Sequence, residues 1–125
     1  MRFIPTAVHG LIDYVMGLFL IASPFFLGFR DDGAATWVPV VLGVGMVLVS
    51  LFTDNEAGLA RRIPMPTHLG LDLLSGAFLA LSPWLLGFSE RVWVPHRALG
   101  LAEVAGSLTT KAVPSDRAAE RAARP

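Results

Sequence analysis

Apolar and polar positions alternate along this chain in long blocks, four of them apolar. Between Arg2 and Arg30 the only charged or imidazole side chains are His9 and Asp13, so about twenty consecutive residues are apolar enough to cross a hydrocarbon layer. Pro5 suits a helix start, where its missing N–H is no loss, and Gly28 suits the left-handed turn that closes a helix. These signals predict a first helix over about 6–27. After the polar turn Arg30-Asp31-Asp32-Gly33 comes a second block, predicted helical over about 36–53. Its β-branched run from Val38 to Val49 would favour a strand in water, but a lone strand in lipid leaves its backbone unsatisfied, so helix wins. The block is short for a span, which tilt or local thinning of the bilayer would accommodate. A charged connector, Asp54 to Arg62, leads to a third helix over about 67–86, with Pro64 and Pro66 at its mouth and Gly87 at its close. The turn Ser89-Glu90-Arg91 feeds a fourth, over about 94–110. Beyond Lys111 the polar stretch Pro114 to Arg121 reads as a solvated tail, a frayed helix.

The third and fourth blocks repeat the first and second. Ser82-Pro83-Trp84-Leu85-Leu86-Gly87-Phe88 is a near-copy of Ser23-Pro24-Phe25-Phe26-Leu27-Gly28-Phe29, and at the same offset Pro64 falls on Pro5, His68 on His9, Asp72 on Asp13 and Gly76 on Gly17. Each second helix opens on Trp-Val-Pro, at Trp37 and at Trp93. The expected fold is all-α: a four-helix transmembrane bundle made of two tandem parallel-repeat helical hairpins, residues 1–56 and 57–112, followed by the polar tail 113–125. Arg2, Arg61, Arg62, Lys111, Arg117, Arg121 and Arg124 fall on one side, against Arg30, Arg91 and Arg97 on the other. The richer side is expected to be cytoplasmic. That orientation puts Trp37, Trp84 and Trp93 at the outer boundary with Phe29 and Phe88, at headgroup level. Arg97 is expected to snorkel there, with His96 sharing that boundary. Both copies enter from the same side, so their pseudo-two-fold axis runs along the membrane normal.

Composition narrows the function classes. Over half the residues are hydrophobic and the mean hydropathy is +0.59, too apolar for an ordinary soluble domain. Acids and bases balance, which gives no basic excess for nucleic acid. The absence of cysteine excludes disulfides and thiolate metal sites. Met1-Arg2 ahead of an apolar run raises a cleaved secretory signal. His9 and Asp13 inside the run, and its internal copy at 67–88, argue against that reading.

Ionisable groups inside such segments are costly unless paired, neutral or hydrated. His9, Asp13 and Gly17 recur every four residues and share one helical stripe, as do His68, Asp72 and Gly76. Glu103, on a helix running the other way, reaches a similar depth. Two readings of these five residues stand. In the first they are structural, hydrogen bonds between helices that fix packing. In the second they hold an ion: a proton or cation path, or a metal such as Zn²⁺, Mn²⁺ or non-haem iron, for which His-x-x-x-Asp sets two ligands on one face. Bis-histidine haem through His9 and His68 ranks below both. The Ser23-Pro24 and Ser82-Pro83 pairs predict helix kinks: proline strips a partner from the carbonyl of Leu20 or Leu79, and the serine hydroxyl or water can replace it. Small residues around Glu103, including Gly100, Ala102 and Gly106, predict that it faces protein. No phosphate-cradling loop, nucleophile elbow or dinucleotide fingerprint is present.

At Ser82-Pro83-Trp84-x-Leu86-Gly87-Phe88, at Ile4-Pro5-Thr6-x-x-His9-Gly10-x-x-Asp13-Tyr14 and at the paired Trp-Val-Pro tripeptides, the chain resembles the SPW-repeat family of small bacterial and archaeal integral membrane proteins, in its two-copy form. The first copy departs at Phe25, where the motif has tryptophan. The resemblance implies a multi-pass protein of the cytoplasmic membrane and supplies no catalytic residues. The expectation is a structural or interaction subunit rather than an enzyme, without a resident cofactor. Its expected partners are the lipid bilayer and further copies or other membrane proteins. The competing reading is a small transporter or metal-binding membrane protein.

Overall fold

The computed structural model describes residues 1–125 and is all-helical. α1 spans Thr6–Phe26, α2 Ala34–Phe52, α3 Met65–Leu85, α4 Val94–Thr109 and α5 Ser115–Ala122. Pro5 and Pro64 stand in extended conformation just outside α1 and α3. Gly28 and Gly87 follow the same two helices with φ of 75° and 77°, a region that a Cβ disfavours. The β-branched run of α2 is helical throughout. Its counterpart in the second repeat, α4, is the shortest of the long helices at 16 residues, about 24 Å at 1.5 Å per residue. Two helices, α1 and α2, are both long and apolar enough to cross a membrane. α3 matches α1 in length and in its histidine and aspartate but is less apolar, with Pro66, Ser75 and Trp84 where α1 has Ala7, Met16 and Phe25.

The helices pack chiefly as α1 on α2 and α3 on α4, with narrower contacts between α2 and α3 and between α1 and α4. Glycine sets both close crossings. Gly17 lies against Gly43, and a methyl group on Gly43 would sit 2.6 Å from the Gly17 carbonyl. Gly76 lies against Gly100 in the same way. Matching these crossings pairs Gly43 with Gly100, Met46 with Glu103, Ser50 with Ser107 and Thr53 with Thr110, all facing inward. This register is one residue out of step with the Trp-Val-Pro match, and it puts His96 where the first copy has Pro39.

The interior is more polar than apolar. Thr6, His9, Asp13, Ser23, Ser50, Thr53, His68, Asp72, Ser82, His96, Glu103, Ser107 and Thr110 are buried, whereas the central apolar cluster is Leu20, Met46 and Leu79. Outward faces carry the large apolar side chains: Leu11 is 64% exposed, Val41 63% and Leu74 70%. A water-soluble bundle distributes these classes the other way round.

The tail is a short exposed helix, in keeping with the solvated helical stretch expected of it, and what the sequence does not indicate is its attachment to the connector. α5 is exposed along its length but is moored to the connector by Arg61–Asp116 at 2.9 Å and Arg117–Asp54 at 2.9 Å. The Ser115 backbone N–H also donates to Glu56 at 2.8 Å. Glu56 accepts from Thr6 as well; burial pushes its carboxyl upward, but these bonds hold it below the ordinary range.

Candidate functional site: a buried histidine and aspartate centre

Two short parallel bridges bring the site together. The extended residue before α1, Ile4, pairs with Thr110 at the end of α4, and Ile63 before α3 pairs with Thr53 at the end of α2. Each bridge joins the start of one repeat to the end of the other. As a result Thr110 meets His9, and Thr53 meets His68.

The threonines fix the imidazole protons. Thr53 donates its hydroxyl hydrogen to the Val49 carbonyl at 2.7 Å, so its oxygen accepts from His68 Nδ1 at 2.6 Å. Thr110 donates to the Gly106 carbonyl at 2.7 Å and accepts from His9 Nδ1 at 2.7 Å. A hydroxyl has one hydrogen to give, so both Nδ1 atoms are the protonated ones. Both Nε2 atoms then turn toward the carboxylates. His9 Nε2 is 2.9 Å from Asp72 Oδ2 and 3.1 Å from Asp13 Oδ2; His68 Nε2 is 2.6 Å from Asp13 Oδ2 and 3.1 Å from Asp72 Oδ2. The shorter contact of each imidazole crosses to the other repeat. The two rings stand edge to face with centroids 5.4 Å apart. All four residues are buried, and each offers one ligand atom within 4.8 Å of the others.

Glu103 stands beside this quartet. It shares the lining of a cavity of about 40 Å³ with His9, Asp13, Asp72, Met16 and Met46, large enough for a water molecule or an ion. Its Oε2 accepts from Ser75 at 3.0 Å, while its buried Oε1 has no partner. Ser75 and Glu103 occupy the places that Met16 and Met46 hold in the first repeat. The duplication is therefore symmetric in its histidines and aspartates and asymmetric at this cavity.

At the opposite end, the Ser-Pro pairs are accounted for by geometry. Ser23 donates to the Leu20 carbonyl at 2.8 Å and Ser82 to the Leu79 carbonyl at 2.7 Å, the acceptors that Pro24 and Pro83 deprive of helical partners. Pro39 frees the Ala35 carbonyl in the same manner, and there the donor is His96 Nε2 at 2.8 Å. His96 is thus buried between Phe29 and Phe88, with centroids 5.0 and 4.9 Å away, rather than at a polar boundary. Phe29 turns inward with it. Trp37, Trp84 and Trp93 remain partly exposed at this end, with Trp84 and Trp93 6.0 Å apart and Arg97 over the Trp84 ring. Arg91 joins the α1–α2 and α3–α4 turns through the Phe29 carbonyl at 2.7 Å and Asp31 at 2.6 Å.

Sequence spacing finds His9, Asp13, His68 and Asp72. It misses Thr53 and Thr110, whose signal lies in the one-residue shift between the two α2–α4 alignments, and Ser75, which stands where the first repeat has Met16 and which nothing in the spacing marks. Comparison with curated proteins and with solved structures gives no match. A family model described as the SPW repeat domain matches residues 7–110, which takes in both hairpins and every residue of the centre, and the chain belongs to the SPW repeat family.

Proposed function

We propose that this protein is a membrane-embedded structural or interaction subunit in which all four long helices span the bilayer, as two tandem parallel hairpins clasped by the buried histidines and aspartates. The observation that carries this reading is the reciprocal pairing of His9 with Asp72 and of His68 with Asp13. Each repeat alone would keep only its longer internal contact of 3.1 Å between imidazole and carboxylate, a poorly satisfied pair in an apolar environment, which is costly; the shorter crossed contacts specify one arrangement of the hairpins. Family membership and the apolar outward faces support a bilayer setting. The excess of Arg and Lys at the Arg2, connector and tail side supports a cytoplasmic placement of that side, in a bacterial or archaeal plasma membrane. Lipid covers the outward faces, where further copies or other membrane proteins would dock.

The test is a double-mutant cycle on purified protein in detergent. Asp72→Asn alone should cost about 2 kcal/mol, since hydrogen bonds to charged groups run roughly 1.5–3 kcal/mol. Polar contacts between membrane helices average only about 0.6, so a loss of that smaller size would signal mere adhesion. His9→Ala with Asp72→Ala should couple by about 1 kcal/mol or more. Additive losses would contradict the clasp.

A second reading, a small proton or cation conductor, draws on the unpartnered Glu103 Oε1 at the cavity. It predicts ion flux into liposomes that Asp13→Asn and Asp72→Asn abolish. The parallel repeat weighs against an alternating-access carrier, many of which contain inverted repeats that exchange roles.

A further inference from the structure

The centre has the donor set, charge and outer support of a metal site, and reading it as one rests on the clasp of the two hairpins. Two carboxylates and two imidazoles reach charge balance with two added protons, one on each Nε2, or with a single divalent cation in their place. Three facts bear on the choice. The Nε2 and Oδ2 atoms form a quadrilateral with sides of 2.6, 2.9, 3.1 and 3.1 Å. A tetrahedral zinc with bonds of 2.0–2.2 Å holds its ligand atoms roughly 3.3–3.6 Å apart, so these four atoms, already converged on one place, need part by less than about 1 Å to admit an ion. Both Nδ1–H groups are already held by Thr53 and Thr110, the outer-shell arrangement that aims a metal-binding histidine and sets its tautomer.

The third fact is independent of the quartet. Glu103 is 6% exposed, its Oε1 has no protein partner, and it faces the small cavity that His9, Asp13 and Asp72 also line. A buried carboxylate oxygen with no donor is costly. Nothing in helix packing requires it, because the first repeat fills the equivalent place with Met46. A cation beside it, or a water bound to that cation, supplies the missing partner.

We propose that His9, Asp13, His68 and Asp72 bind one divalent first-row transition-metal ion, with Glu103 accepting a hydrogen bond from a water on that ion. Nitrogen and oxygen donors without thiolate suit Zn²⁺, Mn²⁺ or Fe²⁺. Loading is an exchange, M²⁺ entering as two protons leave the Nε2 atoms, with no change in net charge and no oxidation or reduction.

The test uses the full chain in detergent, stripped with chelator and titrated with Zn²⁺ and Co²⁺ by calorimetry in two buffers of different ionisation enthalpy. The expected result is one ion per chain, about two protons released per ion, and visible Co²⁺ absorption bands. Asp13→Asn and His68→Gln should weaken binding about 100-fold or more. Glu103→Gln should keep the stoichiometry and weaken it about tenfold, the lower end for outer-shell changes. Circular dichroism checks that the variants keep their helices. If they do not, the wild-type stoichiometry and proton count decide. Absence of saturable one-to-one binding in the wild type, release of fewer than one proton per ion, or binding that survives in the folded quartet variants would overturn the proposal. A wild type that binds no ion yet loses stability on Asp72→Asn overturns the metal and leaves the clasp standing.

Discussion

His96 makes clear how far a residue's role depends on what its neighbours lack. Pro39 removes the helical donor from the Ala35 carbonyl, and the replacement comes from protein. His96, one hairpin away, gives its Nε2–H to that oxygen and fills the space between Phe29 and Phe88. His96→Phe keeps the aromatic bulk and deletes the donor. It should cost about 1–3 kcal/mol, the penalty for an orphaned buried carbonyl, read as a lower thermal midpoint in detergent; an unchanged midpoint would show that the bond contributes nothing. The sequence exposes the four central residues because their spacing repeats at one offset. It does not expose His96, Thr53 or Thr110, because each acts on an atom of the other repeat that no local pattern marks.

Among the elements, the crossings and the turns carry separate tests. At the α3–α4 crossing a methyl group on Gly100 would collide with the Gly76 carbonyl and the backbone of Ala80, neither of which can give way. Gly100→Ala should therefore cost about 3 kcal/mol, the upper end for overpacking. Gly45→Ala, with nothing within 4 Å of the added carbon, should be neutral or slightly stabilising through helix propensity. Equal effects of the two would refute the close-contact account. In the α1–α2 turn, the Gly33 backbone N–H, with help from Thr36 and Arg91, holds the Asp31 carboxyl below its ordinary value of 3.8. A lowered folded value means the contribution is present at neutral pH and is lost as pH falls through the folded value. The difference in thermal midpoint between wild type and Asp31→Asn should accordingly shrink below about pH 4, the ordinary carboxylate range; a constant difference would remove Asp31 from the turn's stability. Helix starts and stops are legible from Pro5, Pro64, Gly28 and Gly87, since these residues act locally. The mooring of α5 is not, because it depends on Arg61, Asp54 and Glu56 of the connector.

Taken whole, the molecule has its polarity turned outside in: ionisable side chains meet at the centre and leucines face outward. Length and apolar content single out α1 and α2 as able to cross a membrane, whereas the family and the duplication extend that expectation to α3 and α4. The most direct measurement uses the absence of cysteine to place a single spin label at Leu74→Cys on α3, at Leu101→Cys on α4 and at Arg62→Cys on the connector, in reconstituted bilayers. Lipid-facing labels should collide readily with dissolved oxygen and rarely with a water-soluble nickel chelate at the two helical positions, and the reverse at position 62. Nickel-chelate collisions at Leu74→Cys as frequent as those at Arg62→Cys would contradict a bundle in which all four long helices lie in lipid.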